Sequence, residues 1–281
     1  MHRIAWSLAM AAALAAVLAV GLRDRDRHRV EAGDLPAASA VDEAVRRLEA
    51  DPAAWELATQ AVVRAAAVQV EAGAERSAEG YYVLGFQYAR ERNLSQAETM
   101  YRRAMVLRPE WPWPYVGLGT LLGRQSPDQR EEALGLLQEA TQLAPGWHQA
   151  HDVLAQVLRA AGRLEEARAA AELALELRPD DIATQNNYAN LLVALEDYAG
   201  AEQHYRRAIE LGPDHPKPYY NLACVYTLMG RLDDAVRYLE QSIRLAPVLR
   251  AQARQDHDLD GLREHPGFRS LMNLDAPPAG T

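Results

Sequence analysis

The sequence is short of the residues on which most catalytic and cofactor chemistry depends. Its one cysteine, Cys224, excludes an internal disulfide and a thiolate zinc site built from this chain alone. Of its 30 basic residues a single one, Lys217, is lysine, against 39 acidic residues and a net charge of −9. That balance excludes a nucleic-acid protein, because phosphate binding needs concentrated Lys and Arg. Scarce lysine beside abundant alanine points to a GC-rich bacterial genome. No Ser/His/Asp arrangement, catalytic Cys/His pattern or paired-carboxylate motif stands out, so neither an enzyme nor a cofactor is expected.

Long hydrophobic runs are also scarce, and one dominates. Ile4 to Leu22 carries no charge and is apolar on every face. At ~1.5 Å per residue it just crosses a ~30 Å hydrocarbon layer, which predicts a single-pass anchor in a bacterial inner membrane. Ala19 and Gly21 offer an alternative reading as a cleaved signal, which would send the protein to the periplasm or outside. The following Arg23, Arg25, Arg27 and Arg29 favour retention with the soluble part in the cytoplasm. A linker is expected over 23–40, marked by Gly33 and Pro36, and a helical region over 41–77.

From residue 78 a period takes over. Prolines closing apolar segments fall at Pro109, Pro145, Pro179, Pro213 and Pro247, spaced 36, 34, 34 and 34. Ala97, Ala133, Ala167, Ala201 and Ala235 repeat these intervals, as do Ala104, Ala140, Ala174, Ala208 and the equally small Ser242. The two extra residues belong to the turn around Ser126-Pro127, where an insertion disturbs no helix. Each unit reads as two helices joined by a short polar turn, such as Ala161-Gly162-Arg163, with proline ending the second.

The segments "YYVLGFQYARERNLSQAETMYRRAMVLRP" and "YYNLACVYTLMGRLDDAVRYLEQSIRLAP" carry the pattern most fully. This period of small, large and proline positions resembles the tetratricopeptide repeat. The resemblance implies an all-α, right-handed superhelical solenoid, here with five repeats over 78–249. Capping helices over 250–275 follow, with Leu259, Leu262, Phe268 and Leu271 covering the last repeat, and then a disordered tail over 276–281.

The resemblance also implies a concave groove lined by each first helix. Its positions map to Tyr82 and Phe86, to Trp113, to Asp152, Gln156 and Arg159, to Asn186, Asn187 and Asn190, and to Lys217, Tyr220, Asn221 and Cys224. From these an aromatic subsite and an asparagine-lined subsite for an extended peptide are expected, since an amide offers both a donor and an acceptor to a peptide backbone. Asp152, Gln156 and Asn221 stand where a family clamp for C-terminal carboxylates would need Lys, Asn and Arg, so that clamp is not expected.

Three other motifs are weaker. Gly117 to Gly123 lacks the lysine and the strand-to-helix setting of a phosphate loop. His148 and His151 lie one turn apart, with no third ligand. Asp256 to Gly261 begins like a calcium loop, but Gly267 stands where the closing Glu should be. The function expected is thus a non-catalytic, membrane-tethered scaffold for a protein or peptide. The alternatives are a repeat arm of an envelope enzyme complex and a calcium-responsive module.

Overall fold

The computed structural model describes residues 78–273, and every regular element among them is helical. The helices are α1 (Ala78–Arg90), α2 (Leu94–Leu107), α3 (Pro112–Gln125), α4 (Arg130–Leu143), α5 (His148–Ala160), α6 (Leu164–Leu177), α7 (Ile182–Ala194), α8 (Tyr198–Leu211), α9 (Pro216–Leu228), α10 (Leu232–Leu245), α11 (Leu249–Ala253) and α12 (Pro266–Leu271). The inserted residues extend α3 and form a short 3-10 turn, Pro127–Gln129, before α4. The chain forms two compact units that divide between Leu122 and Gly123.

In the first unit α1 packs against α2. Tyr101 of α2 is the reason for two glycines: a Cβ on Gly85 would come within 2.7 Å of its ring, and one on Gly117 within 2.8 Å. The aromatic ring thus occupies space that only glycine leaves open. Its phenol is sealed from water, which pushes its pKa up.

In the second unit α5 pairs with α6, α7 with α8 and α9 with α10, and α7 also packs on α5 and α6. The small-residue columns lie at the crossings: Ala133, Ala167, Ala201, Ala235, Ala140, Ala174, Ala208 and Ser242 are all fully buried. Ser242 can stand in an alanine column because its hydroxyl donates to the Pro216 carbonyl at 2.9 Å, which satisfies the buried oxygen. Glu202 of α8 ties neighbouring helices together, accepting from Tyr226 Oη at 2.8 Å and from Arg231 Nη1 at 3.0 Å. At the C-terminal end a 3-10 turn, His257–Leu262, and α12 bury Leu259, Leu262, Phe268 and Met272 against α9 and α10, with Leu271 partly buried beside them.

Helix ends use local chemistry. Asp181 caps α7 by accepting from Thr184 N at 2.8 Å, and Asp197 caps α8 through Gly200 N at 2.9 Å. In four of the five repeats the turn between the paired helices holds one residue in the left-handed region. Gly162 and Gly230 supply it without strain, whereas Arg92 and Glu196 adopt it with φ of 61°.

The expectation of a membrane-spanning helix is corrected. No helix among the described residues is long and apolar enough to cross a membrane. The longest have 14 residues, about 21 Å at ~1.5 Å per residue, well short of a ~30 Å hydrocarbon layer. Ile4 to Leu22, on which the anchor, the membrane partner and the inner-membrane localisation all rested, lies outside the described residues. So do the linker over 23–40, the helical region over 41–77 and the tail over 276–281. The membrane tether is therefore withdrawn.

Candidate functional site

In the second unit the fifth and sixth positions of successive first helices meet in a repeating link. Asn187 on α7 donates through Nδ2 to Asp152 Oδ2 on α5 at 2.8 Å. One repeat later Asn221 on α9 donates through Nδ2 to Asn186 Oδ1 on α7 at 3.0 Å. After the last repeat Tyr220 Oη donates to Asp256 Oδ2 of the closing segment at 2.7 Å. The three links span 35, 35 and 36 residues, so each is the repeat period plus the one or two residues that step between facing positions.

Cross-links thicken this row into a ladder. Gln156 donates to Asp152 Oδ2 at 3.0 Å from one turn along α5. Asn190 Oδ1 accepts from Asn221 Nδ2 at 3.2 Å and from Tyr205 Oη at 2.6 Å, the latter reaching through from the buried side of α8. Asn186, Asn187, Asn190 and Asn221 are thus brought together, and much of their hydrogen-bonding capacity is spent on one another. Lys217 is exposed on the first turn of α9, and Arg159 is half-buried near the end of α5.

Asp152 is the carboxylate at the first link of the ladder and is 8% exposed. Burial pushes its pKa up to about 6, opposed by the amide donor of Asn187, reinforced by the neighbouring Asp181 and opposed again by Gln156. Tyr220 is held above its usual range by burial and then by its bond to Asp256. Cys224, one turn further along α9, is buried, and burial followed by Asp256 and Asp258 pushes its thiol up, which leaves it a poor nucleophile.

In the first unit Tyr82 and Trp113 do meet, but Tyr82 is only 6% exposed. Its ring lies edge-on to Trp111 at 5.2 Å and to Trp113 at 6.1 Å, which makes it packing as much as surface. Phe86, one turn along α1, and Trp113, at the start of α3, are half-buried.

The two histidines point to different tasks. His151 Nε2 bonds the Pro145 carbonyl at 2.9 Å, while His148 Nε2 lies 4.0 Å from Asp181, and burial lowers its pKa. Asp256 caps the closing turn through Asp258 N at 3.1 Å, and Asp260 pairs with Arg263. Among the described residues no group of three His, Cys, Asp or Glu side chains is placed to hold a metal ion.

His151 belongs to a repeat column whose shared hydrogen bond the sequence did not reveal. Tyr115, His151, Gln185 and Tyr219 each bond the carbonyl of the proline six residues earlier, at 2.9, 2.9, 2.7 and 3.1 Å. Each fastens the start of a first helix to the end of the preceding repeat. The signal was present as polar-tipped residues at intervals of 36, 34 and 34, hidden because four positions carry three residue types.

Family models described as tetratricopeptide repeat match residues 148–181 and 180–247. The chain is 28% identical over 191 residues to cellulose synthase operon protein C of Xanthomonas axonopodis pv. citri (strain 306), covering 61% of this chain and 12% of that protein. It spans less than a fifth of the length of the curated relatives it matches, at 12% and 18%. Among solved structures, a thermophilic TPR protein of Thermus thermophilus superposes with a TM-score of 0.57 at 22% identity, over 63% of this chain and 96% of that one. The APC/C hetero-tetramer Cut9–Hcn1 superposes with a TM-score of 0.60 at 15% identity, over 85% of this chain and 52% of that one. At these identities the structures speak for the fold, an all-α solenoid of paired helices. That fold, without a metal-binding cluster among the described residues, is consistent with a non-catalytic protein. Repeat period, helix pairing and family models agree, and the chain belongs to the tetratricopeptide-repeat family.

Proposed function

We propose that this chain is a non-catalytic scaffold that holds an extended segment of a partner protein along the face formed by the first helices α5, α7 and α9 of its second unit. The observation that carries the reading is the ladder of the second unit. Among the described residues Asp152 Oδ1 and Asn221 Oδ1 accept no hydrogen bond and Asn190 Nδ2 donates none, and none of the three is sealed from solvent. Two acceptors and a donor on a rigid row match what an extended backbone presents, and the ladder fixes their positions before a peptide arrives. Tyr220, Asn186 and Asn187 then serve mainly to hold that row, and Lys217 lies exposed at its edge. In the first unit Phe86 and Trp113 are the proposed aromatic contacts, with Tyr82 packed behind them. The scaffold is proposed without a membrane tether, and activities of the much longer curated relatives are not carried over.

Site-specific photo-crosslinking in the native cell tests this. A benzophenone side chain at Lys217 should capture a discrete partner, whereas one at Gln203, exposed on the second helix α8, should not. Capture from Gln203 and none from Lys217 would place the binding surface elsewhere.

A further inference from the structure

We propose that Asp152 anchors a lysine or arginine side chain of the bound peptide; this rests on the first-helix reading of the binding face. Buried carboxylates are ordinarily paired with a cation or saturated with donors. Asp152 is neither. Its Oδ2 takes the amides of Asn187 and Gln156 at 2.8 and 3.0 Å, while its Oδ1 receives no donor from the described residues. No Arg, Lys or His among them forms an ion pair with it.

The surroundings sharpen the need. The charged group that acts on Asp152 is another carboxylate, Asp181, already occupied in capping α7 through Thr184. Across the same unit, Asp256 and Asp258 add negative potential beside Tyr220 and Cys224. Asp152 thus holds one oriented oxygen beside a second carboxylate and without a cation partner among the described residues, where an arriving cation gains a charge-assisted hydrogen bond without displacing a protein partner. Because Oδ2 is already filled, the contact is end-on at Oδ1: an ammonium or a single guanidinium N–H, not a bidentate fork. A metal ion is a poorer occupant, since among the described residues no group of three His, Cys, Asp or Glu side chains is placed to hold one.

The test uses the full chain as bait for a phage-displayed library of random dodecapeptides, in the wild type and in Asp152→Asn. The asparagine keeps an oxygen to accept from Asn187 and Gln156, so the ladder and fold are retained. Peptides selected on the wild type should share one Lys or Arg position. Replacing that residue by norleucine or citrulline should weaken binding at least tenfold to the wild type and less than twofold to Asp152→Asn. Peptides that crosslink to a benzophenone at Lys217 but carry no common basic position, or lose equal affinity on both proteins, would overturn this inference and leave the binding face standing. Peptides that crosslink only from Gln203, or no selected peptides at all, would overturn both.

Discussion

Asn187 donates to Asp152 at 2.8 Å in the same register in which Asn221 donates to Asn186 at 3.0 Å, so one link of the ladder ends on a carboxylate where the next ends on an amide. The difference has a stability signature. The pKa of Asp152 rises from 3.8 unfolded to about 6 folded, so the native state binds its proton more tightly. Its contribution is most favourable below about pH 4 and is lost as pH rises through 6, a change of about 2–3 kcal/mol. Asp152→Asn removes the titration. The variant should match the wild type near pH 4 and exceed it by about that amount above pH 7, read from urea midpoints across the range. Parallel pH profiles would mean the carboxylate is well solvated.

Asn190 is held by its own neighbour. Tyr205 is 2% exposed and places its hydroxyl 2.6 Å from Asn190 Oδ1. Asn190→Ala should cost ~1–3 kcal/mol, because it leaves a buried hydroxyl without an acceptor. Adding Tyr205→Phe should recover a large part of that loss. Denaturation of the two single variants and the double variant measures the coupling, and strictly additive losses would show that the bond contributes nothing.

These two residues also mark where sequence reading ends. The alanine and proline columns were legible because a close helix crossing and a helix end each admit few residue types, and the crossings of the second unit are fully buried at those positions. The asparagine row was legible as a row. Its self-pairing was not, because the acceptor of each amide lies 35 residues away and is chosen by how one hairpin stacks on the next. Tyr82 was read as surface for a similar reason. Its burial depends on Trp111, which lies in the connection before α3 and outside the repeat columns. The membrane reading rested on the uncharged length of Ile4 to Leu22 and its arginine flank, over residues that the structure does not describe.

The turn residues give a stabilising prediction. Glu196 adopts φ of 61° where Gly162 and Gly230 occupy the equivalent turns at 76° and 74°. A Cβ in this region costs ~1–2 kcal/mol, partly offset by the greater chain entropy glycine loses on folding. Glu196→Gly should therefore gain about 0.5–1 kcal/mol, and Gly230→Ala should lose a similar amount. Calorimetric melting of both variants checks the sign, and a lower Tm for Glu196→Gly would mean the glutamate side chain contributes more than its backbone strain costs.

The last prediction concerns the crossings on which the whole array depends. Ala201 on α8 is fully buried in the cluster that includes Leu192, Tyr205, Tyr220 and Leu222, while Ala199 on the same helix is exposed. Ala201→Leu adds three carbons where α8 meets its neighbours, and overpacking of this kind costs ~1–3 kcal/mol or more. Ala199→Leu makes the same chemical change at solvent and lowers helix propensity only slightly, so it should shift stability by less than ~0.5 kcal/mol. Each repeat contacts only its neighbours, so the damage at Ala201 should spread to both adjoining hairpins before reaching more distant ones. Hydrogen exchange would then show faster amide exchange in α5 to α10 of the Ala201 variant and wild-type rates in the Ala199 variant. Wild-type protection across α7 and α8 in Ala201→Leu would show that this crossing has room for the larger side chain and that the alanine column has another cause.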